Sequence, residues 1–397
     1  MKYILLLLLF SVHSFGQKNV PVMQKSVSGN EFQIDFYSAY QNRSPVLKMS
    51  QFAEDIEFIP LETTDECLLG NSLSNIVVTK DYIFVFDFTK SYRFSRQGEF
   101  LNSIGSIGNG PGELVKAMQM CVDTLNQWVY LADTRSNKLV KYNYEGDYID
   151  HFNYKSMGGN NTFYKPYELL LENYSYQFSD AKKRYSLFFY SDKAKKLISK
   201  YSCDYPYEIP PFAMCNPISY VYNQHLYMKD FWCDTVYRMK DPLHIESYAI
   251  INKGEFTNRR NNDKSLISGE RDSEDRKIIS ISRIAESDRF IFISGNASVV
   301  YDKLSKTTFA GDFTDKEEDE WLSVVDDLYG GIGIRAWSFA KRIDRNEMYV
   351  FGHAYKFVEG KKNKHIINDA RYTKYEKMVK QLDPEDNPVI MIVKIKK

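Results

Sequence analysis

Two consecutive segments of the sequence repeat one pattern of four short strands. Residues 74–104 alternate runs rich in Tyr, Phe, Val and Ile with polar turns, which predicts strands at Asn75–Thr79, Tyr82–Asp87, Ser91–Ser95 and Phe100–Ile104. The next unit aligns with the first and predicts strands at Ala117–Asp123, Trp128–Asp133, Lys138–Asn143 and Tyr148–Phe152. Repeated four-stranded units are typical of a β-propeller, in which each sheet buries its faces against its neighbours.

Equivalent turns support this alignment. Gln97-Gly98-Glu99 matches Glu145-Gly146-Asp147, and both are Gly-containing hairpin turns. The two units are joined by the glycine-rich loop Gly108–Glu113. A phosphate-binding loop needs a helix N-terminus behind it, and usually a Lys-Ser or Lys-Thr pair, but this loop leads into a strand. We therefore interpret it as a tight crossing between two blades.

Four further units follow, with weaker patterns. The third, fourth and fifth cover roughly residues 162–201, 218–251 and 279–309. The last supplies only three strands, within Ala336–Asp344, Glu347–Ala354 and Pro388–Lys396, and Ile56–Leu61 can supply the fourth. The predicted fold is all-β: a six-bladed β-propeller of four-stranded antiparallel blades, closed by an N-terminal strand that joins the C-terminal blade.

Two segments interrupt the β pattern. Lys253–Lys277 is polar and charged, and Val358–Asn387 contains apolar residues at helical spacing, which predicts a short helix within Ile366–Leu382. One segment falls between two blades and the other between the second and third strands of the last blade. Both kinds of connection leave a propeller on the same face, so we expect both to rise over the mouth of the central channel.

The N-terminus predicts export. Lys2 precedes an apolar run, Ile4–Phe10, that is too short to span a bilayer, and Ser14 and Gly16 provide small residues before a cleavage site. We therefore assign residues 1–16 to a signal peptide, 17–45 to an N-terminal leader segment and 46–397 to the propeller domain. No Cys lies near the cut and no later segment is apolar enough to span a membrane. The prediction is a periplasmic or secreted protein without a lipid anchor.

Charge and cysteine content limit the partners and the chemistry. The chain carries 52 Lys+Arg and 52 Asp+Glu, a balance that argues against a nucleic-acid-binding surface. Its five cysteines have no metal-site spacing, and their odd number leaves at least one free thiol. Cys203 and Cys215 can form a disulfide, but for most of the cysteines we favour burial as small apolar residues.

In its repeats and motifs the chain resembles the Bacteroides-type exported six-bladed β-propeller proteins, which are similar to NHL-repeat propellers. The matching residues are Ile56–Gly70, Tyr82–Asp87, Phe94–Leu114, Asp234–Met239 and Asp386–Lys396, spread in order along the chain. The resemblance implies a six-bladed propeller and a loose association with glycan-utilisation systems. It implies no particular activity.

Several aspartates lie near the ends of predicted second strands or in the turns that follow, and are candidates for a metal site. If they lie close to the channel mouth, their carboxylates can hold Ca²⁺, which takes several oxygen ligands; the residues concerned are Asp87, Asp133, Asp234 and Asp302. The simpler interpretation, which we favour, is that each carboxylate caps its own turn. The histidines show no HExxH spacing, and no nucleophile motif is present.

Aromatic and polar residues near the predicted loops of one face suggest a ligand site. A flat aromatic ring with Arg and Asn around it suits a sugar, which offers an apolar face and hydroxyl edges. The candidates are Asn109, Glu113, Arg135, Trp232, Arg335 and Trp337. An equally simple role for the two Trp residues is packing between blades.

The sequence therefore favours an exported binding propeller that recognises a carbohydrate or a protein partner. The alternatives are a metal-assisted periplasmic lyase or hydrolase at the channel mouth and a purely protein–protein scaffold.

Overall fold

Six four-stranded sheets form the blades of a propeller, as the sequence predicts. The computed structural model describes residues 20–70, 73, 75–153, 158–163, 168–173, 183–191, 196–204, 217–230, 233–254, 281–312, 322–335, 339, 343–360 and 369–397. Within each blade the strands are antiparallel, and in blades 1 to 5 they run outward in chain order. The first strands of neighbouring blades contact one another, as expected where they surround a central channel.

Blades 1 to 3 follow the chain without interruption. Blade 1 comprises Asn75–Val78, Tyr82–Phe86, Ser91–Ser95 and Phe100–Ile104. Blade 2 comprises Ala117–Asp123, Trp128–Asp133, Lys138–Asn143 and Tyr148–Asn153. Blade 3 comprises Gly158–Phe163, Glu168–Asn173, Lys183–Ser191 and Lys196–Asp204. The eight strands predicted for blades 1 and 2 are confirmed to within one residue at each end.

Blades 4 to 6 complete the ring. Blade 4 comprises Ile218–Tyr222, His225–Lys229, Thr235–Asp241 and His244–Asn252. Blade 5 comprises Ile281–Glu286, Phe290–Gly295, Ser298–Asp302 and Thr307–Gly311. Blade 6 comprises Ile343–Asp344, Glu347–Gly352 and Val389–Ile395, with Ala53–Pro60 as its outer strand. Ala53–Pro60 pairs antiparallel with Val389–Ile395, which confirms that the two ends of the chain close the ring.

The segment before the closing strand runs along the outer edges of three blades. We call residues 21–48 the belt; it pairs with the outer strands of blades 3, 4 and 5 in turn. The contacts are Met23 N–H to Lys200 O at 2.9 Å, Gln24–Ser26 parallel to His244–Glu246, Phe32–Asp35 parallel to Ala249–Asn252, and Ser44 N–H to Ala310 O at 3.0 Å. The belt thereby covers edges that would otherwise present unpaired backbone groups.

Among the described residues, three short α-helices, one 3-10 turn at Met49–Gln51 and a small sheet lie outside the blades. Helix α1, Phe36–Gln41, begins at Asp35, whose carboxylate accepts the N–H of Ser38 at 3.1 Å. The sequence predicts one late helix, and the structure has two: α2, Ala354–Glu359, and α3, Asp369–Val379. The small sheet consists of Ile334–Arg335, Leu322–Val325 and Leu47–Lys48.

Neighbouring blades also contact one another through hairpin turns near the rim. Gly98 and Gly146 occupy equivalent turns between the third and fourth strands of blades 1 and 2, with φ of 95° and 94°. A Cβ atom at Gly146 would lie 2.8 Å from Ser103 O on the outer strand of blade 1, and one at Gly98 would overlap Pro60 O on that of blade 6. Each turn therefore needs glycine for its backbone conformation and for its packing.

A buried carboxylate, ion-paired within blade 5, joins this blade to blade 4 through two tyrosine hydroxyls. The Glu286 carboxylate, 1% exposed, accepts hydrogen bonds from Lys303 Nζ at 2.8 Å, Tyr220 Oη at 3.0 Å and Tyr248 Oη at 2.5 Å. Burial raises the pKa of Glu286 above its ordinary value, although Lys303 and the two phenols act in the opposite direction. These contacts satisfy the buried carboxylate and fix the angle between the two blades.

Candidate ligand-binding face

The connections between strands differ in length at the two ends of the propeller. Those between first and second strands, and between third and fourth strands, span at most four residues, as at 124–127 and 303–306. Connections at the other end include 61–74, 105–116, 205–217, 253–280, 312–342 and 353–388. We call these ends the short-turn face and the loop-rich face. Both interrupting segments leave from the loop-rich face, as the sequence predicts.

The last insertion, however, is anchored at the outer side of its blade. The ring of Phe58, on the outer strand of blade 6, has its centroid 6.3 Å from that of Phe357 in α2 and 5.3 Å from that of Tyr375 in α3. The expectation that this insertion rises over the channel mouth is therefore wrong for α2 and α3. Their apolar side chains instead bury surface against the core of blade 6. Most of the other insertion lies outside the described residues.

The glycine-rich loop is also held away from the channel. Tyr142 Oη, on the third strand of blade 2, donates to Gly112 O at 2.9 Å, and Gly112 lies against Tyr148 on the outer strand. The Glu113 carboxylate turns back and accepts the N–H of Gly110 at 2.7 Å, while Asn109 is exposed. The contacts of Glu113 are therefore those of a loop-forming residue, and the crossing interpretation of this loop agrees with the structure.

Asp133 connects this loop to the next turn of blade 2. Its buried carboxylate accepts the N–H groups of Val115 at 2.6 Å and Lys116 at 3.2 Å, and those of Arg135 at 3.0 Å and Ser136 at 3.1 Å. Burial alone would raise the pKa of Asp133, but hydrogen bonds from Ser136 and from the Val115 backbone outweigh it and lower the pKa. The side chain of Arg135 is exposed on the turn that Asp133 holds.

The other aspartates do not assemble a cation site with Asp133. Asp87 accepts the N–H of Thr89 at 3.0 Å, so it caps its own turn as we favoured. Asp302 ends a third strand on the short-turn face, where it pairs with Arg289 at 2.7 Å and accepts the N–H of Leu304. Within the described part of the chain, no three His, Cys, Asp or Glu side chains come together as metal ligands.

Two buried lysines, which the sequence analysis missed, lie on the loop-rich face of blade 4. Lys229 and Lys253 are each 1% exposed. Lys253 Nζ lies 2.6 Å from an oxygen of Asp234, and Lys229 Nζ donates to Asp230 O at 2.9 Å. Burial, followed by the nearby charge of Lys253, lowers the pKa of Lys229 to about 8. Nothing in a sequence motif marks these residues, because their burial depends on how the blade packs.

A second group of polar and aromatic residues lies on the loop-rich face of blade 6. We call Arg335, His353, Tyr355 and Lys356 the blade 6 cluster. The rings of His353 and Tyr355 stack with centroids 5.8 Å apart, and Tyr355 remains 38% exposed. Burial, and then the charges of Arg335 and Lys356, lower the pKa of His353, so its imidazole is neutral at pH 7.

The cluster includes one of the six residues singled out from the sequence, Arg335. Arg135 and Asn109 lie on connections of the same face, and Glu113 is engaged in its own loop. Trp232 and Trp337 lie outside the described residues, although Trp337 is two positions from Arg335 in the chain. His353 and Tyr355 were missed because the sequence places them at the end of a strand rather than in a recognisable motif.

The described cysteine side chains are free thiols. Cys67 and Cys121 are buried, as the sequence analysis favoured for most cysteines, and Cys233 is partly exposed near Asp234. The proposed Cys203–Cys215 pair lies outside the described side chains. No described helix is long and apolar enough to cross a membrane.

The fold and the loop-rich face define a six-bladed β-propeller with one elaborated end. The chain belongs to the family of the "Domain of unknown function (DUF4934)", whose sequence model matches residues 31–394. None of the curated proteins matches the chain in sequence.

One solved structure supports the fold, and a second shows a weaker similarity. A candidate exported protein of Bacteroides fragilis NCTC 9343 aligns with a TM-score of 0.65 at 16% identity, over 93% of this chain and 100% of its own. A member of the DUF4221 family from Bacteroides vulgatus aligns with a TM-score of 0.46 at 12% identity, over 87% of this chain and 97% of its own. The first of these confirms, at the level of fold, the resemblance to Bacteroides-type six-bladed propellers.

Proposed function

We propose that this protein is an exported β-propeller that binds a carbohydrate ligand on its loop-rich face. The observation that carries the proposal is the unequal distribution of connections, because binding residues concentrate on long loops presented by a rigid scaffold. Export is supported by the signal-peptide pattern of residues 1–16 and by the similarity to a candidate exported protein. Periplasmic or secreted location is part of the same proposal.

The blade 6 cluster supports a sugar that carries a carboxylate or sulfate. Arg335 and Lys356 supply positive charge, neutral His353 can exchange hydrogen bonds with hydroxyl groups, and Tyr355 offers exposed aromatic surface. We include Trp337 in this site because of its position in the chain, and keep Arg135, Asn109 and Trp232 as contacts from other blades. We assign Glu113 a structural role in its own loop and leave it out of the binding site. No described contact favours the metal-assisted enzyme.

The proposal can be tested by calorimetric titration of the mature protein against neutral and acidic oligosaccharides. We expect an acidic oligosaccharide to bind, and Arg335→Gln to weaken that binding about tenfold or more, because a charged hydrogen-bonding partner is lost. Trp337→Ala should weaken it as well. Arg345→Gln, in the short turn at the opposite end of blade 6, is the matched control and should leave the affinity unchanged.

Two results would contradict this function. Absence of binding to every oligosaccharide in the panel would contradict the proposed carbohydrate ligand. A protein–protein scaffold would then be the explanation for the loop-rich face. Equal effects of Arg335→Gln and Arg345→Gln would show that the chosen face is wrong.

A further inference from the structure

A groove lies at the rim of blade 6, between its outer strand and α3. The cavity has a volume of about 300 Å³ and is lined by Asp55, Ile56, Glu57, Phe58, Lys374, Tyr375, Met378 and Lys394. It is therefore formed by the strand on one side, by the helix on the other, and by one residue of the adjacent strand.

The lining residues place this groove along the edge of the strand. Asp55, Ile56, Glu57 and Phe58 are consecutive, and successive side chains in a strand point to opposite faces of the sheet. A cavity on one face would contact only alternate residues. Contact with four in succession therefore means that the cavity follows the outer edge, where backbone N–H and C=O groups are presented.

This edge has no paired strand among the described residues, whereas the belt pairs with the outer edges of blades 3, 4 and 5. The belt leads directly into Ala53–Pro60, so the groove continues the same line of outer-edge pairing. Arg371 Nη1 of α3 donates to Glu54 O at 2.9 Å, which shows that the backbone here can accept a hydrogen bond from outside the sheet.

The walls of the groove combine apolar surface with charges of both signs. Phe58, Tyr375 and Met378 provide the apolar part. Asp55 and Glu57 stand on the strand side, with side chains 37% and 44% exposed, and Lys374 is exposed on the helix side. The two carboxylates already have basic neighbours, because Lys394 Nζ lies 4.0 Å from Asp55 and Arg96 Nη2 lies 4.0 Å from Glu57. A segment in the groove therefore meets partly neutralised carboxylates on the strand side and Lys374 on the helix side.

We propose that this groove binds an extended segment of a partner protein, which adds as a further strand to the edge of blade 6 under α3. The segment carries an apolar residue for the wall formed by Phe58, Tyr375 and Met378. A basic residue faces Asp55 and Glu57, and an acidic residue faces Lys374. Backbone pairing supplies affinity and the side chains supply selectivity, as in other cases of strand addition between a sheet edge and a helix.

The experiment selects binders from a phage-displayed library of random heptapeptides on the purified wild-type protein and measures the synthetic peptides by fluorescence polarisation. We expect mixed-charge peptides with a central apolar residue. Lys374→Glu should weaken binding about tenfold by replacing an attractive charge with a repulsive one. Lys377→Glu, the same change on an exposed position of α3 outside the groove, is the matched control and should alter binding less than about twofold.

Backbone pairing is tested in the peptide, so that the protein is unchanged. N-methylation at alternate residues removes the N–H groups that face the strand and should reduce affinity about tenfold per group. N-methylation of the intervening residues should have little effect. Affinity that is insensitive to N-methylation at every position would overturn strand addition, even if a peptide binds.

Three further results would overturn the proposal. These are failure to select any peptide, equal effects of Lys374→Glu and Lys377→Glu, and self-association in sedimentation experiments that Lys374→Glu abolishes. The last result would assign the groove to a second copy of this chain instead of a different protein.

Discussion

At the scale of single residues, Asp87 and Asp133 show how one position in the repeat acquires different structural importance. Asp87 directly follows the second strand of blade 1, and Asp133 is the last residue of the second strand of blade 2. Asp87 bonds within its own turn, whereas Asp133 also accepts the N–H groups of Val115 and Lys116 from the glycine-rich loop. The sequence analysis predicted both caps, because Asp in such a turn commonly binds nearby backbone. It could not predict the contacts with the loop, which depend on tertiary structure.

Asp133→Asn should destabilise the protein by about 1–3 kcal/mol, because a neutral amide is a weaker acceptor for four backbone N–H groups. The lowered pKa of Asp133 means that this contribution is present above the pKa of the unfolded chain. It is lost as the pH falls through the lower pKa of the folded protein. Urea unfolding of wild type and variant between pH 3 and pH 7 measures both effects.

Asp87→Asn is the control, and its cost should be smaller because the backbone N–H groups that Asp87 accepts, those of Thr89 and Lys90, belong to its own turn. Equal losses in the two variants would show that the bonds from Val115 and Lys116 contribute nothing. A wild-type stability advantage that persists unchanged at pH 3 would contradict the assigned pKa direction.

At the scale of elements, the repeated strands were predictable and the belt was not. Strands such as Trp128–Asp133 combine β-branched and aromatic residues with clear turns, so local pattern and burial agree. The belt strand Gln24–Ser26 has three residues, all exposed, and pairs in parallel with residues more than 200 positions away. No local pattern encodes such pairing. For the same reason α3 could be predicted as a helix, but its position against Phe58 could not.

Gly98→Ala tests the contact between hairpin turns and outer strands. Two costs add: about 1–2 kcal/mol for a side chain at positive φ, and about 1–3 kcal/mol more for the overlap with Pro60 O. Gly146→Ala should behave similarly because of Ser103 O. Thermal and urea unfolding give the differences in free energy.

Gly29→Ala isolates the first of these costs. Gly29 has φ of 77°, but a Cβ atom there would meet nothing within 4 Å. The Gly29→Ala variant should therefore lose only the free energy of unfolding that comes from the backbone conformation. If Gly98→Ala were no more destabilised than Gly29→Ala, the turn would not be packed against blade 6 as described.

At the scale of the whole molecule, buried phenols connect the blades and set the response to high pH. Burial raises the pKa of Tyr222 and Tyr329 to about 12. It also raises the pKa of Tyr92, Tyr142, Tyr144, Tyr220, Tyr227, Tyr248, Tyr301, Tyr349 and Tyr375. Above about pH 10 the unfolded chain loses these protons while the folded protein retains them, so stability falls as the pH rises.

We therefore expect a cooperative alkaline transition in which phenolate absorbance and loss of β-structure rise together. Absorbance at the phenolate band and far-ultraviolet circular dichroism, followed over pH 8 to pH 13, measure the two changes. Ionisation of all the tyrosines near pH 10, with the circular dichroism unchanged, would contradict the burial of the residues named above.

The closing strand has a consequence for the order in which the molecule can fold. Ala53–Pro60 is synthesised early, yet its partner, Val389–Ile395, follows it by more than 300 residues. Blade 6 therefore cannot form until Val389–Ile395 has emerged from the ribosome. The belt has the same dependence, because it pairs with blades made after it. During synthesis the belt and Ala53–Pro60 therefore remain unpaired until the strands with which they pair have been made.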